Sequence, residues 1–276
     1  LNMTSGSAVR LLIIFSIPML IGNVFQQLYN LADSIIVGQF LGADALAAIG
    51  ATGSITFFFF ALCNGVGSGG GIITSQFFGQ GDTSKVKNCI VNAGYIMIVV
   101  PLVTGTLAFF LAGPILRLLK TPENILLDAT RYLQVLCVGL FFVSVYNYVS
   151  SMLRALGDSK SPLYFLIFSC ILNVILDILF VYNFKMGVVG AGVATLISQL
   201  VSGACCLWFA FRFNPYFKFS KMDFAVNPVM IKSIVGLGVP LSLQFSLIAI
   251  SCMALQRVVN SFGPVAVAAF TATSRI

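Results

Sequence analysis

Charged residues divide this chain into long stretches that contain none at all: 11–32, 45–81, 88–116, 132–153, 161–176, 186–211, 233–256 and 258–274. An apolar run of about 20 residues is long enough to cross the hydrocarbon core of a bilayer as a helix. Lipid offers no partners to backbone N–H and C=O groups, so a run of this kind must satisfy them within itself by becoming helical. The first stretch continues through Asp33 to about Gln39, and the fifth through Asp177 to about Tyr182. The reading is an all-α membrane protein with seven complete membrane helices and the start of an eighth. Composition agrees: of 276 residues, 59% are hydrophobic and 8% charged, against roughly 45–50% and 25% in soluble domains. A soluble enzyme is excluded.

Arg10 followed by Leu11-Leu12-Ile13-Ile14-Phe15 has the look of a signal peptide, but the apolar stretch runs past Pro18 without a small-residue cleavage site. It reads as a retained first helix. The chain has no His, and its seven cysteines form no CxxC pattern, so they read as packing residues rather than metal ligands or disulfides. The net charge of +7 is not gathered into the single face that nucleic acid would require. It is distributed by loop. Arg10, Lys85, Lys87, Arg154, Lys160, Arg212, Lys218, Lys221 and Lys232 fall on one side, and Arg117, Lys120, Arg131, Lys185 and Arg257 on the other. The positive-inside bias therefore places the N-terminus in the cytoplasm. On the opposite side, Thr121-Pro122-Glu123 predicts a helix start capped by Thr121, with Pro122 at the first helical position and a short interfacial helix leading into helix 4.

Displaced by 221 residues, Gly42–Ile55 falls on Gly263–Ile276 with seven of fourteen positions identical and no gap. Upstream, Ile17-Pro18-Met19 falls on Val239-Pro240-Leu241 with one residue of slack. Transporters are commonly built from such repeats, and an even number of helices per unit makes the copies parallel, related by an axis along the membrane normal. The expected organisation is a six-helix lobe over 1–213, a cytoplasmic linker over 214–228, and helix 7 with the start of helix 8 over 229–276. The last part would open a second lobe, so the chain reads as a truncated twelve-helix transporter.

Six of the eight acidic residues lie in loops or at helix ends, leaving Asp33 and Asp177 inside apolar segments. A carboxylate in hydrocarbon costs about 2.5–3.5 kcal/mol even on the lenient insertion scale, so it normally faces a cavity and has a function. Asn173 and Asp177, at i and i+4, share one face of helix 5. Asn23, Gln26, Asn30 and Asp33 form a polar stripe down helix 1, which is expected to face away from lipid. Two carboxylates with amide and hydroxyl oxygens suit a hard monovalent cation such as Na⁺, or a proton. The residues alone leave both open. Gly65-Val66-Gly67-Ser68-Gly69-Gly70-Gly71 lacks the Lys-Ser/Thr of a phosphate loop and reads as close helix packing.

The segments "NLADSIIVGQFLG", "GADALAAIGATGSI", "SQFFGQGD", "RALGDSKSP" and "ILNVILDILFV", taken in order, resemble the multidrug and toxic compound extrusion (MATE) transporters over essentially the whole chain. The resemblance implies a cation-coupled antiporter of two six-helix lobes that exports organic cations from the cytoplasm by alternating access in exchange for Na⁺ or H⁺. It implies no enzymatic activity, no cofactor beyond a possible bound Na⁺, residence in the cytoplasmic (inner) membrane, and a monomer when complete. By position, the family's coupling residues match Asp33, Asn173, Asp177 and Thr195, with Asn147 matched on helix 4. Asn23, Gln26, Asn30 and Gln244 are then candidates for the substrate cleft, and Pro18 for a hinge in helix 1. One branch carries an acid in helix 7 where this chain has Gln244, so the resemblance points to the DinF-like branch. The rival readings are a lipid-linked oligosaccharide flippase of the same superfamily, which would line its cleft with Arg or Lys, and a channel or non-transporting membrane protein.

Overall fold

The computed structural model describes residues 7–275, and they are almost wholly helical. The elements are α1 (Ala8–Leu41), α2 (Ala43–Gly79), α3 (Thr83–Leu118), α4 (Glu123–Ala155), α5 (Lys160–Asp177), α6 (Gly187–Phe213), α7 (Pro228–Asn260) and α8 (Pro264–Arg275). A π-helical turn, Ile178–Asn183, extends α5, and two 3₁₀ turns, Pro215–Phe217 and Lys221–Phe224, lie between α6 and α7. Seven of these helices are long and apolar enough to span a membrane. At 1.5 Å per residue, the 34 residues of α1 reach about 50 Å, well beyond the roughly 30 Å of hydrocarbon. Their outer faces carry large apolar side chains such as Phe110, 72% exposed, and Val99, as a lipid-contacting surface does.

The predicted continuations of helices 1 and 5 past their buried aspartates are present. One local expectation fails. Residues 123–155 form one unbroken helix whose cap position is Pro122, with no side-chain cap and no separate interfacial helix. Nothing between Glu123 and Gly139 can break the helix, and the Thr121 hydroxyl is instead engaged by Asn260 Nδ2 at 3.4 Å.

Glycine does the close packing between α2 and α7. A Cβ on Gly69 would lie 2.5 Å from the Ile234 carbonyl oxygen, one on Gly238 2.7 Å from Val66 Cα, and one on Gly65 would overlap Ser242. Small residues permit this approach where water-driven burial is not available to hold helices together. Three apolar clusters fill the bundle. One joins α2, α3, α4 and α8 around Ala51, Ile55, Leu116, Leu133 and Val267. A second joins α2, α3, α4, α6 and α7 around Ile90, Met152, Cys206 and Ile234. The third, around Val37, Ile49, Tyr132 and Ala191, ties α1 to α2, α4 and α6, beside the buried acids.

The stretch between α6 and α7 is fastened to α3. Asn88 Nδ2 donates to the carbonyl oxygens of Asp223 (3.3 Å) and Ala225 (3.1 Å). Asn92 donates to Ala225 O (3.2 Å) and accepts from the Asn227 N–H (2.9 Å). The Tyr95 hydroxyl donates to Phe224 O at 3.0 Å. Asn227 in turn caps α7 by accepting from the N–H groups of Val229 and Met230.

Candidate cation site

The α1 side of the site follows from helical spacing. Gly22, Tyr29, Asp33 and Val37 are buried in one row, as residues spaced three or four apart on a helix are. Gly22 faces Leu163 and Leu166 of α5, which a Cβ at that position would meet at ordinary contact distances of 3.6 and 3.5 Å. Phe25 O accepts from Cys170 Sγ at 3.8 Å. Asp33 is 9% exposed.

Opposite it, α5 presents Asn173 and Asp177 one turn apart, both 0% exposed. The Asn173 amide orients so that its Nδ2 donates to Asp177 Oδ2 (2.9 Å) while its Oδ1 accepts from the Thr195 backbone N–H of α6 (3.2 Å). The Tyr29 hydroxyl donates to Thr195 Oγ1 at 3.2 Å. The Asp33 and Asp177 carboxyl groups lie side by side, within hydrogen-bonding reach of each other. Three helices thus converge on one buried polar cluster of two carboxyls, an amide and two hydroxyls.

Charge balance decides what this cluster can hold. Between residues 11 and 41, and again between 161 and 184, the sole charged residue is the aspartate, and residues 186–211 carry none. These stretches contain no lysine or arginine, and the chain has no histidine. Two ionised carboxylates in a low-dielectric interior repel strongly and each loses its hydration. A proton shared between them or a small cation coordinated by their oxygens restores the balance. The surrounding groups are oxygens and an amide, the donor set of a hard cation.

The structure therefore brings together Asp33, Asn173, Asp177 and Thr195, and leaves other candidates outside. Asn147 lies eight residues from the end of α4 and Asp177 seventeen from the start of α5, both measured from the same end of the bundle. At 1.5 Å per residue those depths are about 12 and 26 Å. Asn147 donates its amide to Val143 O at 2.8 Å and lines another cavity. The helix 1 stripe fans outward: Gln26 and Asn30 are half-buried and Asn23 is exposed. At 100° per residue Asn30 and Asn23 stand about 60° and 80° round the helix from Asp33, which takes them off the face packed on α5. Asn30 donates to Gln27 at 3.3 Å. Gln244 is exposed on α7. Pro18 is buried inside a continuous α1.

Three features were missed by the sequence reading. Tyr29 stands four residues before Asp33, so helical spacing alone could have drawn it in. The π turn immediately after Asp177 has no marker in Ile178-Leu179-Phe180-Val181-Tyr182-Asn183. It lies under α6, where a Cβ on Gly190 would come 3.2 Å from the Phe180 carbonyl; π turns recur at functional sites. At the far end of the bundle, buried Gln256 donates to Asn260 Oδ1 (2.9 Å), and Asn260 Nδ2 donates to Leu119 O (3.0 Å), joining α7 to the α3–α4 connection.

Comparison with known proteins sets this cluster in a family. The MatE family model matches residues 18–179, more than half the chain and inclusive of Asp33, Asn173 and Asp177. The chain is 35% identical over its whole length to a probable multidrug resistance protein, YpnP, of Bacillus subtilis strain 168, of which it covers 61%. It is 25% identical to the multidrug export protein MepA of Staphylococcus saprophyticus over 95% of its length and 58% of that protein. The chain thus spans about three fifths of the length of these relatives. A crystal structure of a MATE transporter in complex with MaD3S superposes with a TM-score of 0.86 at 28% identity, covering 99% of this chain and 62% of that one. Family model, relatives and fold agree: the chain belongs to the MATE family of membrane transporters.

Proposed function

We propose that the chain supplies the cation-coupling lobe of a secondary antiporter that exports small organic cations across the cytoplasmic membrane. The single observation that carries this reading is the buried cluster of Asp33, Asn173, Asp177 and Thr195, in which two carboxyls meet amide and hydroxyl oxygens, the donor set of a hard cation. Multidrug relatives such as YpnP and MepA support the export of drug-like molecules. Residues 1–213 form the first lobe, and residues from 229 onward begin a parallel second lobe whose first helix packs along α2. Cation or proton binding between α1 and α5 changes the charge at their contact and so biases α1, with Pro18 as its weak point, between two arrangements. Because Pro18 removes one backbone hydrogen bond from the helix, bending there costs less than elsewhere. The asymmetry of loop charge supports a cytoplasmic N-terminus.

The test is dye efflux from vesicles holding the intact transporter of which, on this reading, the segment forms the first lobe, with Na⁺ and pH gradients imposed separately. Uphill efflux driven by one of the two gradients is expected. Equal movement with neither gradient would point to a channel and contradict the proposal.

A further inference from the structure

The connection between α6 and α7 is tied to α3 on one side and bare on the other. Its backbone spends its hydrogen bonds inward: the carbonyls of Asp223, Phe224 and Ala225 accept in turn from Asn88, Tyr95 and Asn92, and the Lys218 carbonyl accepts from Lys87 Nζ at 2.7 Å. Phe217, buried in the bundle, stands ring to ring with Phe219 at 6.0 Å and pins the segment at its other end. The side chains of Met222, Phe224 and Val226 are left outward, 86%, 51% and 63% exposed. Large apolar side chains held outward together on a fastened segment mark a contact surface.

Position along α3 says what that surface touches. Asn88, Asn92 and Tyr95, which hold the segment, are followed on the same helix face by Val99 and Leu102, both exposed on a helix long and apolar enough to span a membrane. Tyr95 stands one turn, about 6 Å, before Val99, so the segment lies directly over a lipid-facing row, at the edge of the hydrocarbon. Apolar side chains there have acyl chains beside them. The charges point the same way. Residues 212–232 carry Arg212, Lys218, Lys221 and Lys232, all exposed, against one acid, Asp223, whose Oδ2 already accepts from the Ser220 N–H and hydroxyl. A lysine lays its stem along apolar surface while its ammonium stays at the polar boundary, and basic residues beside an apolar face are drawn to anionic lipid. We propose that residues 218–226 form an interfacial anchor for anionic phospholipid, with Met222, Phe224 and Val226 in the acyl boundary and Lys218 and Lys221 on the phosphates.

The test is photo-crosslinking of the intact protein in liposomes of equal phosphatidylglycerol and phosphatidylcholine, with p-benzoylphenylalanine in place of Met222 or, separately, of Val226, and the adducts identified by mass spectrometry. Benzophenone inserts into neighbouring C–H bonds, so it reports acyl chains without requiring transport. Lipid adducts are expected at both positions with phosphatidylglycerol in excess, and Lys218→Gln and Lys221→Gln should each cut that excess about fivefold. Should one crosslinker position fail to yield inserted protein, the other carries the test on its own. Adducts with protein alone, as for a segment covered by another part of the molecule, would overturn the proposal, and so would no adduct at all, as for one standing in water. Equal labelling by the two lipids, or an excess unchanged in both lysine variants, would overturn it as well.

Discussion

Gly50 of α2 lies against Thr271 of α8 so closely that a Cβ on the glycine would meet the threonine Cβ at 2.8 Å. These two positions are one position of the repeat, separated by the same 221 residues that superpose Gly42–Ile55 on Gly263–Ile276. Equivalent points of two copies related by a twofold axis approach one another only near that axis. Two further pairs agree. Gly42 and Gly263, the turn residues before α2 and α8, have φ of 87° and 89°, a conformation open to glycine without strain, and Ala47 and Ala268 share one apolar cluster. The contacts support an axis running between α2 and α8 and a second lobe built as a copy of the first.

The α2–α8 crossing makes Gly50 intolerant of a side chain. Gly50→Val must push the helices apart, at a cost of about 1–3 kcal/mol, and should lower the thermal unfolding midpoint in detergent. Gly53, one turn along the same helix with open space where its Cβ would be, is the control: Gly53→Ala should keep or raise the midpoint, since alanine favours helix by about 1 kcal/mol over glycine.

The connection between α6 and α7 should behave as part of the first lobe and not as a loose tether. Asn92→Leu removes one hydrogen bond to Ala225 O, which keeps its bond from Asn88, and one from the Asn227 N–H, each worth about 1 kcal/mol net. Limited proteolysis is expected to cut residues 218–227 in the variant and to spare them in the parent chain.

Acid should loosen the same connection. The Ser220 N–H and hydroxyl both donate to Asp223 Oδ2, at 2.7 and 2.9 Å, and hold this carboxyl below the usual carboxylate range, led by the backbone N–H. A depressed folded-state value means the stabilisation is complete above the unfolded value of about 3.9 and is lost as pH falls through the folded one. Amide protection over 218–227, corrected for intrinsic exchange, should therefore fall only below about pH 4, and Asp223→Asn should remove that dependence.

Tyr29 positions Thr195 beside the acidic cluster. Tyr29→Phe deletes the 3.2 Å hydrogen bond while keeping the ring, and a neutral hydrogen bond is worth about 1 kcal/mol. The cation concentration giving half-maximal efflux should rise about fivefold with little change in unfolding temperature.

What could be read without coordinates was what single residues dictate. Asp33 and Asp177 stand out because hydrocarbon penalises charge, and Asn173 follows from its place one turn before Asp177. The helix boundaries follow from charge-free length. Contacts between distant segments were hidden. Spacing along α1 made Asn23 and Asn30 look like neighbours of Asp33, yet the face chosen by packing on α5 is set by Gly22, Tyr29 and Val37, of which two are apolar or lack a side chain. Asn147 shows the same limit, because position along α4 decides its depth and sequence pattern does not reveal which cavity it lines. The hold of Asn88, Asn92 and Tyr95 on the 218–227 backbone carries no pattern at all, since the acceptors are carbonyl groups that every residue possesses.

The central claim is that Asp33 and Asp177 together bind the coupling cation, and it is tested most directly by cation-driven dye efflux in proteoliposomes holding the intact transporter with Asp33→Asn or Asp177→Asn. Either substitution is expected to abolish uphill efflux while the protein is still made and inserted at parental levels. Undiminished cation-driven efflux in both variants would contradict the account.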